Sequence, residues 1–275
     1  MSRWVLITGC SSGIGLTAAK TLKERGYKVI ASCRQKQDVE RLIQQGITCI
    51  QLDLSDEESI NTAVESVLQI SNNQLYALFN NGAYGQPGAI EDLPTQSLRA
   101  QFEANFFGWH QLTTLLLPAM RNNGEGRIIQ NSSILGFAAM KYRGAYNASK
   151  FAIEGWSDTL RLELSGTNIH ISLIEPGPIE TQFRANALKA FEKWIDPINS
   201  VHHEAYALQK SRLNNDTSSN AFVLPPEACI PPLIHALESP RPKLRYRVTT
   251  PTKVFAVLKR LLPNRWLDKL LQKAA

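Results

Sequence analysis

The sequence predicts an α/β fold: a single domain built on a doubly wound parallel sheet of about seven strands, with helices on both faces. Two observations carry that expectation. Short, β-branched and apolar runs alternate with longer segments of helical periodicity along most of the chain. The first such run, Val5 to Ile7, leads into Gly9-x-x-x-Gly13-x-Gly15, and a helical pattern of Ile14, Ala18, Ala19 and Leu22 follows. At 275 residues, 43 % of them hydrophobic, the chain can bury the core that one such domain requires.

The elements follow in order. The first helix closes at Arg25-Gly26, a basic last turn with a glycine stop. Lys28 to Cys33 reads as the second strand, and a helix with Val39, Leu42 and Ile43 on one face stops at Gly46. Cys49 to Leu52 is the third strand. Ser55 and Glu58 have capping-box spacing before a helix carrying Ile60, Val64, Val67 and Leu68 inward. Tyr76 to Phe79 is the fourth strand, entering Asn80-Asn81-Gly82, and one long helix is expected over Thr95 to Met120. Gly126 to Gln130, a helix over Tyr146 to Leu164, and Ile169 to Ile174 continue the alternation. The rhythm breaks over 183–224 and returns with a seventh, edge-like strand at Leu244 to Thr249. Strict alternation with right-handed crossovers places every strand C-terminus, and hence the ligand site, along one edge of the sheet.

Composition excludes several classes. The net charge is +6, but from Arg241 onward ten Lys and Arg face one acid, so the tail carries +9 and the preceding residues −3. A slightly acidic body gives no reason to expect nucleic-acid binding. Cys10, Cys33, Cys49 and Cys229 form no Cys-x-x-Cys pair and read as buried thiols in a reducing compartment. The first strand starts almost at Met1 and no uninterrupted apolar run of about 18 residues occurs, so neither a secretory leader nor a spanning helix is expected. A cytoplasmic protein is the expectation.

The glycine turn has a physical purpose. Glycines let a backbone approach a phosphate without a Cβ in the way, and the helix that follows aims free N–H groups and a positive dipole end at it. The fifth strand delivers Asn131-Ser132-Ser133 to the same edge. Thirteen residues past Ser133 comes Tyr146, and Lys150 lies four further on, one helical turn away on the same face. A free phenol titrates near 10, and a neighbouring ammonium would favour its phenolate, a pairing suited to proton transfer. A Tyr packed beside a solvated Lys has the same spacing. The conjunction with paired serines and a phosphate-type turn decides for chemistry.

Taken together, these motifs resemble the short-chain dehydrogenase/reductase family over about Arg3 to Thr181, with the edge strand also fitting. The resemblance implies a Rossmann-type oxidoreductase with a catalytic set of Asn105, Ser133, Tyr146 and Lys150. Tyr146 would protonate the carbonyl oxygen during reduction, and Ser133 would hydrogen-bond that oxygen. Lys150 would hold the nicotinamide ribose and depress the Tyr146 pKa, and Asn105 would hold a water linking Lys150 to solvent. A mid-helix Asn can simply face water, but Phe102, Phe106 and Phe107 around Asn105 argue for a buried one. The cofactor contacts implied are Gly9, Ser11, Ser12, Gly13, Ile14 and Gly15 in the turn, then Asp53 and Leu54 for the adenine. Asn81 and Gly82 would border the ribose, and Pro176, Gly177, Ile179 and Thr181 would cover the nicotinamide. The chain departs from the family's Asn-Asn-Ala-Gly, reading Asn80-Asn81-Gly82-Ala83.

Closer still, Ala31-Ser-Cys-Arg34, the Ile174–Ile179 loop and Leu258–Pro263 look like bacterial NADP-dependent aldehyde reductases near the retinol and 17β-hydroxysteroid dehydrogenase branch. NADP(H) is expected on chemical grounds too. Position 33, where an NAD-specific protein of this fold places an acid, is a cysteine, and Arg34 next to it suits a 2′-phosphate.

The 183–224 segment is read as an apolar lid over the substrate, through Phe191, Trp194, Ile195, Ile198, Val201, Tyr206 and Leu208, followed by the polar stretch Asn214 to Asn220. No acid or Cys spacing supports a metal at His202-His203, and none is expected. The basic amphipathic extension over 250–275 leaves two readings open: contact with an anionic membrane, or packing on the domain or a second subunit. The expected reaction is hydride transfer between NADP(H) and a lipophilic carbonyl or alcohol. The rivals are a 3-oxoacyl or hydroxysteroid dehydrogenase with the same residues, or an NADP(H)-sensing protein without turnover, which would have no use for Ser133.

Overall fold

The computed structural model describes residues 3–214 and 222–274. The strands are β1 (Trp4–Ile7), β2 (Lys28–Cys33), β3 (Thr48–Gln51), β4 (Leu75–Asn80), β5 (Gly126–Asn131), β6 (Ile169–Glu175) and β7 (Arg245–Arg247). They form one sheet in the order β3-β2-β1-β4-β5-β6-β7, every neighbouring pair parallel. The chain winds outward from β1 to β3, then restarts at β4 on the other side of β1. This reversal opens a crevice between β1 and β4, at the C-terminal ends of the strands.

Helices fill both faces because strands buried on two sides need two apolar partners. Ala18, Ala19 and Leu22 of α1 (Gly13–Glu24) pack on one face with α2 (Lys36–Gln44) and α9 (Ile230–Glu238). On the other, Ile60, Val64 and Val67 of α3 (Glu57–Ser71) meet Leu112 and Leu116 of α5 (Gly108–Asn122) and the C-terminal end of α6 (Gly144–Glu163). Two further pairs lie above the crevice and beside it: α7 (Phe183–Trp194) with α8 (His203–Asn214), and α10 (Thr250–Leu261) with α11 (Asn264–Ala274).

Three expectations need correction. The cap of α3 is Asp56, not Ser55: its carboxylate accepts from the Ser59 amide at 3.0 Å, one residue later than the capping-box spacing implied. The helix expected from Thr95 to Met120 is not continuous. It runs as α4 (Thr95–Phe102), a π-helical turn at Glu103–Phe107, then α5. The last strand is confined to three residues, because only Leu173 to Glu175 of β6 lie alongside it.

Candidate active site

The crevice is a cleft of about 790 Å³ whose lining runs from the glycine turn, past the ends of β4 and β5, to α7 and α10. At its floor Tyr146 sits in the first turn of α6, beside Ser133 at the end of β5. Burial pushes the Tyr146 phenol up to about 12, against the Ser133 hydrogen bond, which acts to lower it. The Lys150 ammonium donates to the Asn131 carbonyl at 2.7 Å and stands 4.3 Å over the face of Trp109. Burial brings Lys150 itself down to about 7, partly opposed by the charge of Glu154 one turn on. A buried lysine shifted this far is a candidate functional group.

Asn105 owes its place to the π turn. A π turn widens the helix by one residue and re-aims its side chains, and such turns concentrate at functional sites. Asn105 is fully buried; its Oδ1 accepts from the Tyr84 amide at 3.1 Å, and its Nδ2 donates to the Tyr84 carbonyl at 2.8 Å. A weaker contact of 3.4 Å runs from Nδ2 to Ser149 Oγ on α6. Its contacts tie the loop after β4 to the catalytic helix.

The glycine turn passes a direct test for a dinucleotide. Gly9 and Gly13 have φ of +70° and +56°, which glycine adopts without strain. A Cβ on Gly13 would stand 2.8 Å from Thr181 Cγ2, and one on Gly9 2.5 Å from Gly82 Cα. Only glycine permits this backbone surface. The first turn of α1 carries no acid, and the Ser12 side chain makes no capping bond, so its amides stay available to phosphate. Ser11, Ser12 and Ile14 line the same end of the cleft. Gly15 lies beneath, against the Gly9 carbonyl. Its neighbour Asn81 donates through Nδ2 to the Thr8 and Gly9 carbonyls, at 2.9 and 3.2 Å, and accepts from Asn131 Nδ2 at 2.9 Å. A polar chain thus runs from the glycine turn through Asn81 and Asn131 to Lys150. The Asn131 Oδ1 is buried in the cleft wall with no hydrogen-bond partner among the described residues.

The displaced glycine of Asn80-Asn81-Gly82-Ala83 has a local explanation. Gly82 donates to Thr8 Oγ1 at 2.8 Å and accepts from Trp109 Nε1 at 2.9 Å, held flat against Gly9. Leu54 packs on the other side, 3.1 Å from where a Gly82 Cβ would be. Asp53 begins the loop before α3, its carboxylate accepting from the Ser55 amide at 2.9 Å. Arg34, Asp53, Leu54 and Asn105 flank the cleft rather than line it, whereas Pro176, Gly177, Ile179 and Thr181 form its roof.

Residues of the 183–224 segment line the cleft, but not those singled out in the sequence. Phe191, Ile195 and Tyr206 are buried in a small core of their own with Ala89, turned away from the cleft. Ile198, Val201 and Leu208 are exposed, and Trp194 does not line the cleft. Phe183, Arg184, Asn186 and Phe222 face it instead, the Phe183 ring edge-on to Tyr146 at 5.3 Å. The polar stretch beyond Asn214 falls outside the described residues up to 221. His202 pairs with Glu91 at 2.6 Å, and among the described residues no group of His, Cys, Asp and Glu could hold a metal.

Two contributors escaped sequence reading. Arg41 on α2 donates to the Ser11 carbonyl at 2.7 Å while paired with Asp38 at 2.6 Å, pinning the glycine turn from outside. Glu154 accepts from Ser132 Oγ and, at 2.9 Å, from Arg245 Nε, fastening α6 to the end of β5 and to β7. The i,i+4 spacing of Glu154 from Lys150 was the available signal; nothing in the sequence marked Arg41.

A glycine-lined crevice ending in a Ser, Tyr and Lys constellation fits the oxidoreductase class. The profile of the short chain dehydrogenase family matches residues 3–191, and the chain belongs to that family. It is 45 % identical over 272 residues to the uncharacterized oxidoreductase YbbO of Escherichia coli strain K12, covering 99 % of this chain and 95 % of the relative. To human retinol dehydrogenase 8 it is 32 % identical over 259 residues, covering 88 % and 80 % of the two chains. A short-chain dehydrogenase structure from Streptomyces avermitilis superposes with a TM-score of 0.79 at 25 % identity, covering all of both chains.

Proposed function

We propose that the protein reduces a lipophilic aldehyde or ketone with NADPH, Tyr146 acting as the general acid. The observation that carries this reading is the meeting of Ser133, Tyr146 and Lys150 at the floor of a cleft whose far wall is apolar. A phenol held near 12 stays protonated at neutral pH, the form that gives a proton away. The bound nicotinamide supplies the hydride. Ser133 donates to the same substrate oxygen and stabilises its developing charge. Lys150, buried and held by Asn131, presents its ammonium beneath Tyr146, 5.7 Å from the ring.

Support for NADPH comes from the end of β2. Cys33 offers no carboxylate, and no acid pairs with the exposed Arg34 among the described residues. Following NADPH and NADH oxidation by the purified protein across a panel of aldehydes, ketones and steroids tests the reading. Faster turnover of polar or acyl-carrier substrates, or none with any carbonyl, would overturn it.

A further inference from the structure

We propose that the outer face of α10 and α11 docks on an anionic lipid surface, with the mouth of the cleft beside it. On α10, Val254, Val257 and Leu261 fall on one face at helical spacing and are 47 %, 53 % and 73 % exposed. On α11, Trp266 and Leu270 repeat the pattern one turn apart, at 67 % and 40 %. The inward faces are already satisfied: Thr252, Ala256 and Leu267 are buried against the body, and Lys259 donates to the Phe137 carbonyl at 2.6 Å. What remains outside is therefore a surplus apolar stripe, not a badly packed one.

Charge selects the occupant. Lys253 and Arg260 flank the stripe of α10, and Arg265 and Lys269 flank that of α11; all four are exposed. None of them forms an ion pair among the described residues, and Asp268 is the single acid of the two helices. Apolar residues bordered by cations on a short helix, with a Trp at the boundary, match the headgroup zone of an anionic bilayer. No helix among the described residues is long and apolar enough to cross a membrane, so the pair would lie on the surface. A second copy of the chain fits less well. A two-fold contact over this face would bring both copies' basic pairs into one interface, like charge against like charge.

The position of the face has a consequence for substrate. Thr250, Pro251, Val254 and Phe255 of α10 line the cleft, so docking sets its mouth at the lipid. Delivery of a lipophilic carbonyl from the bilayer would follow, a consequence that rests on the proposed reaction; the docking does not.

Sedimentation of the full chain, without substrate, with phosphatidylcholine vesicles and with mixed phosphatidylcholine–phosphatidylglycerol vesicles tests the docking. Binding to the mixed vesicles alone, weakening as salt is raised, is the expected result. Replacing Lys253, Arg260, Arg265 and Lys269 together by Gln should lower that affinity at least about a hundredfold. Leu261→Asp with Trp266→Asp should lower it roughly tenfold or more. All are surface positions, and unchanged melting would show that the fold is intact. No sedimentation, equal binding to both vesicle types, or a dimer of the unaltered protein that dissociates in the Asp double variant would overturn the proposal. A carbonyl panel that fails while vesicle binding holds would sink only the reaction.

Discussion

The two halves of the sheet solve different problems. In β1 to β3 the buried strand residues are almost all apolar, Val5, Leu6, Ile7, Ile30 and Ala31 among them, with Ser32 a polar exception. In β5 to β7 and α6 the buried set includes Arg127, Gln130, Lys150, Glu154 and Glu175. Arg245 bridges Glu154 at 2.9 Å and Glu175 at 3.2 Å, and burial lifts the Glu175 carboxyl to about 7. A cofactor half needs only a backbone of the right shape, which glycines and an apolar core supply cheaply. A catalytic half must keep ionisable groups out of water, and their desolvation is offset only by partners held in place. The site has stability in one half and reactivity in the other.

The sharpest test of that contrast is Tyr146→Phe. Removing one oxygen from the catalytic half should cut turnover by roughly 10²- to 10⁴-fold. NADPH binding, followed by fluorescence titration, should survive, because the cofactor half is untouched. Appreciable residual turnover would mean that another group supplies the proton.

Lys150→Met should separate activity from stability. It abolishes turnover, yet the cofactor-free protein should gain about 1–4 kcal/mol at neutral pH, because an ammonium is no longer buried. The lysine titrates near 7 when folded, against an ordinary value of 10.5. From pH 10.5 down to 7 the unfolded chain takes up its proton while the folded one does not, so the lysine costs stability as pH falls. The advantage of Met should therefore be greatest at pH 7 and below and shrink toward pH 10.5. Urea titration across that range checks it; a pH-independent difference would refute a desolvated Lys150.

Arg34→Ala probes the other half. A charge-assisted phosphate contact contributes about 1.5–3 kcal/mol, so the NADPH preference in kcat/KM should fall by roughly ten- to a hundredfold or more. Equal use of NADPH and NADH by the unaltered protein would leave Arg34 as a solvated surface cation. The smallest effect expected is on Gly15→Ala. The new methyl runs into the Gly9 carbonyl and Asn81, costing about 1–3 kcal/mol of stability in thermal melts. A variant as stable as the parent would show that the turn has slack.

Much of this was legible in the chain. Alternating periodicity, the glycine turn and the Tyr146–Lys150 spacing are local patterns, and local patterns survive reading in one dimension. They determined the parallel doubly wound sheet and the edge at which Ser133, Tyr146 and Lys150 meet in one cleft. Other features were decided by packing across long separations. The π turn at Glu103–Phe107 holds Asn105 against the loop after β4, a contact between residues 21 apart in the chain that helical periodicity does not reveal. The lid residues that face the cleft were chosen by where α7 and α8 found a core, around Phe191, Ile195 and Tyr206. The burial of Tyr146 and Lys150 was hidden for the same reason. Spacing shows that a cation is near a phenol, but only tertiary structure shows how much water both have lost and that Lys150 points to Asn131. Which elements and which motifs meet at one sheet edge is written in the order of the chain; how far each residue is removed from water is decided only by the fold.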